Sequence, residues 1–194
     1  MKSKNIYEHL TEISNSRGRG IKQLRDGMTL EFLRKRFAWL FSANIDEAII
    51  GYDEEKRKLV WYGGEFNQGS FDGIFLSGIF RGGSFKGEFK GGSFMNGNII
   101  NCTFSYGDFY NGTFRGRMID GNFYNGTFKG TFENGYFENG TFMGKWIDGE
   151  WVEGSIYSKK FGTYVNSFVD PKRFEEIESQ YDDREDFINK VSQL

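Results

Sequence analysis

The chain of 194 residues contains few of the side chains that usually carry catalysis or covalent stabilisation. Its only cysteine, Cys102, excludes an internal disulfide and any zinc site built from several cysteines. Its only histidine, His9, has no candidate catalytic partner beside it, so we expect it to have an ordinary surface role. No Walker loop occurs, and the recurring Gly-Phe pairs lack the strand-then-helix context of a nucleotide-binding loop. The sequence therefore predicts a protein that is not an enzyme and holds no cofactor and no metal.

Long apolar runs and a strong net charge are also missing. No segment is long and apolar enough to cross a bilayer, and the start Met-Lys-Ser-Lys-Asn-Ile-Tyr-Glu has no signal-peptide core. The net charge of −2 hides a mildly basic head, with 12 Lys/Arg against 9 Asp/Glu in residues 1–61. That excess is far below the charge expected of a nucleic-acid binder. We expect a protein of a reducing compartment, located in the cytoplasm or in a virion, neither secreted nor transmembrane.

The chain is rich instead in glycine and phenylalanine, with 27 and 22 residues, most of them in one repeat. Between Tyr62 and Tyr157 the pattern Gly-x-Phe recurs every four or five residues, in 20 units. The large position is Phe in fifteen units, Trp in two and aliphatic in three. The position two residues before it is Gly in 19 units and Cys102 in the other. A recurrence of this kind predicts a repeat architecture rather than an ordinary core.

The spacing of the large positions gives the repeat a longer period. Successive steps run five, four and five residues, so the pattern has a 14-residue period, with one 15-residue unit between Phe94 and Phe109. The extra residue predicts a bulge or a widened corner near Ile99 to Phe104. Three ladders of large side chains result: Phe66, Phe80, Phe94, Phe109, Phe123, Phe137 and Trp151; Phe71, Phe85, Ile99, Phe114, Phe128, Phe142 and Ile156; and Phe75, Phe89, Phe104, Met118, Phe132 and Trp146.

Two geometries can accommodate these ladders. In an extended segment, residues i−2 and i point to the same side, so each Gly leaves room on the face that its Phe fills. Asn-Gly and Asp-Gly pairs between units indicate corners or tight turns. Hairpins at these turns would leave strands of about three residues, which is shorter than most strands, so we favour a mainly β fold formed by a repeat β-solenoid. A ribbon of β-hairpins remains the alternative, because a 14-residue coil has a perimeter of only about 46 Å, which is tight for three inward rings.

Two repeat families resemble this pattern. The small residue at i−2, the large one at i and the five-residue step resemble pentapeptide-repeat proteins, which implies a four-sided β-solenoid. Tyr62-x-Gly64-x-Phe66-x-x-Gly69-x-x-x-Gly73 resembles the start of a MORN repeat, and Gly144-Lys-Trp146-Ile-Asp-Gly149-Glu-Trp151 is similar to it. The MORN resemblance implies side-by-side hairpins and binding to membrane surfaces or phosphoinositides. Gly/Phe arrays of this kind also resemble uncharacterised proteins of tailed phages.

The sequence divides into four segments. We expect a helical N-terminal segment at residues 1–46, a capping β-hairpin at 47–62, the array of 14-residue units at 63–157, and a C-terminal strand and helices at 158–194. Helices are predicted at Asn5 to Ile13 and after Thr29, whose side chain can cap a helix with Leu30, Leu33, Phe37, Leu40 and Phe41 on one side. Pro171 is expected to start a helix in the last segment. Such ends are needed because a terminal coil exposes an aromatic layer and unpaired backbone.

Seven basic side chains are concentrated on the loop and the second helix of the N-terminal segment. Their charge suits phosphates or an acidic protein surface, although a charge run of this kind also solvates the polar side of a helix. The candidate anion or partner contacts are Arg17, Arg19, Lys22, Arg25, Arg34, Lys35 and Arg36.

The repeat and the two end segments together predict a function. We expect a non-catalytic structural or scaffold protein that uses a rigid, elongated β-repeat for protein–protein assembly, as a virion or phage component. Its expected partners are other protein subunits in a homo- or hetero-oligomer. Binding to an acidic membrane surface or phosphoinositides, from the MORN resemblance, and association with nucleic acid through the basic N-terminal segment are the alternatives.

Overall fold

The computed structural model describes residues 20–194. The helix expected at residues 5–13, and all but the last residue of the basic loop expected at residues 14–20, lie outside the described residues. The described part of the chain is mainly β and forms a β-solenoid of about seven turns, flanked by short helices. The predicted fold class is therefore confirmed.

Each turn of the solenoid, termed a coil, is one 14-residue repeat and pairs in parallel with the coils on either side. Ser70–Phe75 pairs residue for residue with Ser84–Phe89, and Phe80 pairs with Phe94. Neighbouring strands of a hairpin ribbon would instead run antiparallel. The solenoid is the observed geometry, and the hairpin alternative is wrong for the array.

The helices are α1 (Leu30–Arg36), a 3-10 helix (Ala38–Ser42), α2 (Pro171–Glu178) and α3 (Arg184–Val191). The strands are β1 (Ile21–Leu24), β2 (Asn44–Asp53), β3 (Lys58–Gln68), β4 (Ser70–Phe75), β5 (Ile79–Phe80), β6 (Ser84–Phe89), β7 (Ser93–Phe94), β8 (Asn98–Phe104), β9 (Asp108–Phe109), β10 (Thr113–Met118), β11 (Asn122–Phe123), β12 (Thr127–Phe128), β13 (Thr131–Phe132), β14 (Tyr136–Phe137), β15 (Thr141–Phe142), β16 (Lys145–Trp146), β17 (Glu150–Trp151), β18 (Gly154–Ser158) and β19 (Thr163–Ser167).

Each coil has three sides, and each side carries one ladder. Side A carries the ladder that starts at Phe66, side B the one that starts at Phe71, and side C the one that includes Phe75. Trp61 heads the side C ladder, since it pairs with Phe75 and stacks on it with 5.8 Å between the ring centroids. A three-sided coil replaces the four-sided coil that the pentapeptide resemblance implied, because one step in three is a residue shorter.

Columns of aromatic rings fill the interior of the solenoid. Rings one coil apart on the same side stack almost parallel, as in Phe80–Phe94, with 4.7 Å between centroids and 7° between planes. Rings on different sides of one coil meet edge to face, as in Phe66–Phe71, with 5.6 Å between centroids and 84° between planes. Both are favoured geometries for aromatic pairs. Edge-to-face contact lets three rings fit inside a coil whose perimeter is only about 46 Å.

Glycine is required at the corners because adjacent coils approach too closely for a side chain. A Cβ atom on Gly83 would lie 2.0 Å from the carbonyl oxygen of Gly69. That oxygen accepts a hydrogen bond from the N–H of Ser84 at 2.9 Å, so it cannot move away without breaking the pairing. Gly83 also has a φ of 107°, which other residues rarely adopt. The glycine columns therefore hold the coils at a fixed separation.

Asparagine and aspartate complete many of these corners. Oδ1 of Asn96 accepts a hydrogen bond from the N–H of Gly97 at 2.8 Å. This Asx contact gives the glycine donor a partner within its own corner. The same contact occurs at Asn111, Asp120, Asn125, Asn139 and Asp148, and the predicted corners are confirmed there. The corner predicted at Asp72-Gly73 is wrong, because this pair lies within β4.

The one 15-residue coil is accommodated by a bulge in β8. The register of β8 shifts against both β6 and β10, and Asn101 has no partner on either strand and a φ of 52°. The predicted bulge is confirmed. Cys102 follows it in the position that glycine occupies in other coils, and it is 3% exposed. Burial raises the pKa of the Cys102 thiol to about 12.

The first coil is covered by strands and helices from the N-terminal side. β2 and β3 pair antiparallel, and β1 pairs in parallel with β2. The hydroxyl of Thr29 caps α1, as predicted, by accepting a hydrogen bond from the N–H of Phe32 at 3.2 Å. Leu33 and Leu40 are buried, and Trp39 meets the first side B ring, Phe71, edge to face at 5.5 Å between centroids.

The last coil is covered from the C-terminal side. β19 pairs antiparallel with β18, and the indole N–H of Trp151 donates to the carbonyl oxygen of Ser167 at 3.2 Å. Asp170 caps α2, which begins at Pro171 as predicted. Phe174 of α2 and Phe187 of α3 are buried against each other. Both ends of the aromatic core are therefore closed.

Two details of the N-terminal segment differ from the sequence expectation. The segment predicted to be helical contains β1, whose parallel pairing with Ala48–Ile50 is not local and leaves no local pattern. The helix expected to run through Phe41 breaks at Phe37, which has φ −129° and ψ 49°, into α1 and the 3-10 helix. The hairpin predicted at residues 47–62 is longer in the structure, from Asn44 to Gln68, because β3 continues into side A of the first coil.

The spacing role of glycine can be tested with a matched pair of substitutions. A Cβ on Gly130 would lie 1.9 Å from the carbonyl oxygen of Gly116, whereas nothing lies within 4 Å of one on Gly63, and neither glycine has a positive φ. We expect Gly130→Ala to lower the free energy of unfolding by about 3 kcal/mol, because backbone atoms form the obstacle. Gly63→Ala should change it by less than about 0.5 kcal/mol. Urea unfolding measures both, and equal losses would show that crowding is not the cause.

Cys102 provides a chemical test of the closed core. We expect a thiol reagent at about pH 8 to modify it roughly a thousandfold more slowly in the native protein than in urea, because a raised pKa leaves little thiolate. The release of a chromogenic leaving group measures the rate. Modification of the native protein at the unfolded rate would contradict the burial of this side chain.

Candidate interaction surfaces

The basic residues predicted as contacts meet different partners in the structure. Arg17 and Arg19 lie outside the described residues. The ammonium group of Lys22 pairs with the carboxylate of Glu47 at 2.7 Å. The guanidinium of Arg34 lies 5.6 Å from the ring centroid of Phe41, and Lys35 is exposed.

Arg25 and Arg36 are brought to one cluster around Asp26. Arg25 lies over the ring of Tyr62 at 4.3 Å, and Arg36 lies over the ring of Tyr52 at 5.6 Å. Oδ2 of Asp26 accepts hydrogen bonds from the hydroxyl of Tyr62 at 3.2 Å and from the N–H of Tyr52 at 3.3 Å. Burial raises the pKa of Tyr62, and its hydrogen bond to Asp26 adds to this rise. Part of the basic charge therefore holds the N-terminal turn onto the hairpin, and a role in binding anions or partners stays a prediction.

A second basic surface lies on the array, although the net charge of residues 62–157 is negative and does not predict one. The edge shared by sides B and C, together with the adjoining side C, carries basic residues in several coils, and all of them are exposed. Arg117 is hydrogen-bonded to Glu133, and the other four have no ion pair within residues 20–194. These residues can be found from the sequence when it is written in rows of 14 residues, because they then fall in nearby columns. This basic edge consists of Lys86, Arg115, Arg117, Lys129 and Lys145.

Side A and its two corners carry acidic residues. Between residues 92 and 154, these positions include no lysine or arginine. The one arginine of side A, Arg81, lies in an earlier coil and is paired with Glu65 at 2.8 Å. This acidic face consists of Asp108, Asp120, Glu138, Asp148, Glu150 and Glu153.

Tyrosines lie within the acidic face. The rings of Tyr110 and Tyr124 stack with 4.8 Å between centroids, and Tyr136 meets Tyr124 edge to face at 6.5 Å. Burial raises the pKa of Tyr124, and the nearby carboxylates of Asp108 and Glu138 raise it further. Tyrosine is enriched at protein interfaces because it combines a large apolar ring with a polar tip. Side A therefore combines tyrosine rings, of the kind found at protein interfaces, with acidic residues around them.

Lys86, Arg115 and Lys129 of the basic edge lie across the solenoid axis from side A, whereas Arg117 and Lys145 lie on side C. In a three-sided coil, the corner shared by sides B and C is opposite side A. The net charge of −3 for residues 62–157 averages these two surfaces and conceals both.

Two shallow grooves border the acidic face. One of about 400 Å³ lies at the corner that precedes side A, and it is lined by Ser93, Tyr106, Asp108, Asp120 and Asn122. The other, of about 290 Å³, lies at the end of the array beside Asn139, Glu153, Asn166 and Phe168. Residues 20–194 contain no group of three histidine, cysteine or acidic side chains placed to hold a metal ion. None of the helices in this part of the chain has the length and apolar character needed to span a membrane.

The fold and surfaces define the class of protein as a repeat β-solenoid with an aromatic core. No family model, curated protein or solved structure matches the chain.

The Asp26 cluster generates a prediction about the N-terminal cap. We expect Asp26→Ala to lower the free energy of unfolding by about 1 to 2 kcal/mol, because it removes the acceptor shared by Tyr52 and Tyr62 and places alanine at a φ of 57°. Asp72→Ala is the control, since the side chain of Asp72 is exposed and has no ion pair within the described part of the chain. Thermal unfolding of both variants measures the difference, and an equal effect would remove the structural role of the cluster.

Proposed function

We propose that the protein is a non-catalytic structural or scaffold protein, in which a rigid β-solenoid presents side surfaces that join protein subunits into an assembly. The observation that carries this proposal is the aromatic interior that runs from Trp61 to Trp151. Stacked rings in each coil contact the coils before and after it, so the coils cannot slide or rotate without losing ring contacts. Residues on the outside are thereby held at fixed distances, which suits a spacer or platform.

The closed ends indicate which surfaces would bind partners. A solenoid with open ends can add further strands to its terminal coils. Here β19 and the C-terminal helices cover one end, and β1, β2 and the N-terminal helices cover the other. Assembly would then proceed through the sides, where the acidic face and the basic edge lie.

The resemblances refine the proposal. The pentapeptide-repeat proteins fit better than the MORN repeats, because stacked parallel coils are what that resemblance implied, whereas the MORN resemblance implied hairpins. A place in a virion or in a cytoplasmic assembly is the setting we propose, with the phage resemblance as its support. The basic edge is the observation that would favour the alternative, a phosphate-rich partner such as nucleic acid or an acidic membrane.

The proposal is tested by the size of the particle that holds the protein. In a gentle extract of its native source, we expect the protein to elute far above its own mass of 22.5 kDa, because a scaffold is found with its partners. Size-exclusion chromatography followed by immunodetection measures this. Elution as a monomer at every salt concentration would contradict the proposal. Retention of that monomer on acidic liposomes, or a salt-sensitive gel shift with DNA or RNA, would establish the alternative in its place.

A further inference from the structure

We propose that the acidic face of one copy of this protein binds the basic edge of a second copy, so that the chain associates laterally with itself. This inference rests on the proposed scaffold function and names one partner for it. The surfaces on the two sides of the same molecule are complementary in charge, which makes a second copy a partner for either of them.

The charges on the two surfaces are available for a partner. Lys86, Arg115 and Lys129 are exposed, and none has an ion pair within residues 20–194. Glu138 and Glu150 are exposed in the same way on the acidic face. Charges left without partners on both surfaces of one chain can satisfy each other between two copies.

The repeat makes the two surfaces match in spacing. Arg115 and Lys129 occupy the same position in adjacent coils, one repeat apart, as do Tyr110 and Tyr124 on side A. Adjacent coils are separated by about 4.8 Å, the distance between neighbouring strands. When two solenoids lie side by side with parallel or antiparallel axes, Arg115 and Lys129 of one copy can therefore lie opposite neighbouring coils of side A, where Tyr110 and Tyr124 stack and Asp108 and Glu138 lie nearby. Several contacts then form together.

The tyrosines of the acidic face offer arginine a specific contact in addition to the attraction between opposite charges. An arginine guanidinium binds over the face of an aromatic ring, and carboxylates that lie nearby add a charge attraction. The chain already uses this contact within itself, where Arg25 lies over Tyr62 at 4.3 Å beside Asp26. Arg115 of one copy placed against Tyr110 and Tyr124 of another would repeat that arrangement beside Asp108.

The size of the surfaces sets the strength of the association. Seven coils at about 4.8 Å give a face about 34 Å long, and a side of four or five residues is about 15 Å wide, so two copies in contact along a whole side would bury at most about 1,000 Å² in total. That area is at the lower limit for a specific interface, and most of its charges are exposed. The association should therefore be weak and strongly dependent on salt.

The two surfaces differ, so the contact is heterologous and leaves one free acidic face and one free basic edge at the ends of every row. Such contacts form open-ended rows unless the rotation between copies closes a ring. Masses above that of a dimer are therefore expected as the concentration rises.

Reciprocal charge reversal tests the inference in purified, full-length protein. One variant carries Arg115→Glu and Lys129→Glu, and the other carries Glu138→Lys and Glu150→Lys. At about 20 mM salt we expect the unmodified protein to exceed 22.5 kDa in sedimentation equilibrium and to return to that mass at about 0.5 M, where screening is short-ranged. Each variant alone should stay monomeric at low salt, and an equimolar mixture should associate again, because the reversed surfaces complement each other.

Matched controls separate charge from misfolding. Lys172→Glu with Lys190→Glu, on exposed positions of α2 and α3, gives the same change in net charge as the Arg115→Glu, Lys129→Glu variant, and it should associate like the unmodified protein. A cooperative thermal unfolding transition shows that each variant is folded. If a double variant does not fold, the single reversals Lys129→Glu and Glu138→Lys are mixed in its place. Restoration in the mixture cannot come from unfolded chains.

Three results would overturn the inference. They are a monomer at low salt and about 0.5 mM protein, association of either reversal variant alone at the strength of the unmodified protein, and a mixture that stays monomeric. If the purified protein is monomeric while the native extract still holds it in a large particle, this inference fails and the scaffold function stands. If both experiments give monomers, both fail.

Discussion

The structure depends on how closely one glycine approaches the glycine of the preceding coil. The carbonyl oxygen of Gly69 accepts a hydrogen bond from the coil above at 2.9 Å, and it lies where a Cβ atom of Gly83 would be. Coils at this separation also place the rings of Phe71 and Phe85 5.1 Å apart in a parallel stack. A wider spacing would part the rings and break the hydrogen bonds, and a narrower one would make the backbones collide. Glycine and phenylalanine therefore act together: one permits the spacing, and the other is stabilised by it.

Side C shows which part of this constraint can be relaxed. The glycines that precede the large residues of side A all have positive φ, whereas among the glycines of side C only Gly87 does. Gly73, Gly116, Gly130 and Gly144 do not. At these four positions glycine is thus needed mainly for space. Cys102, the one residue that replaces a glycine, lies on that side and directly after Asn101, which takes up the unusual backbone angle of the bulge. The exception occurs where a side chain is accommodated by a local change in register.

Much of the fold could be predicted from the sequence because its determinants are periodic. The steps of five, four and five residues define three ladders, and nearly every member is buried as that pattern requires. Trp61 was harder to assign because the residue two before it is Leu59 rather than glycine, and β1 pairs with a strand more than twenty residues away. The number of sides follows from the same spacing, because each 14-residue coil contains three large positions. The edge-to-face angle that lets three rings fit inside one coil is not encoded in that pattern. The N-terminal basic residues are close together in the sequence, so they could be recognised as a candidate site. Arg115 and Lys129 are one full repeat apart and become neighbours only when the chain coils.

The position of the charges follows from a division of labour within each coil. Inward positions are fixed by ring stacking and corner positions by backbone spacing, so the outward positions remain the part of the repeat that can vary without cost to the core. In this chain they are not mixed at random: side A from residue 92 onwards carries acidic residues without lysine or arginine, while Lys86, Arg115 and Lys129 lie across the axis. Only Arg115 and Lys129 occupy the same position in adjacent coils, where like charges repel each other and oppose folding slightly. The core does not require this distribution of charge, which is why our proposal of lateral association rests on it.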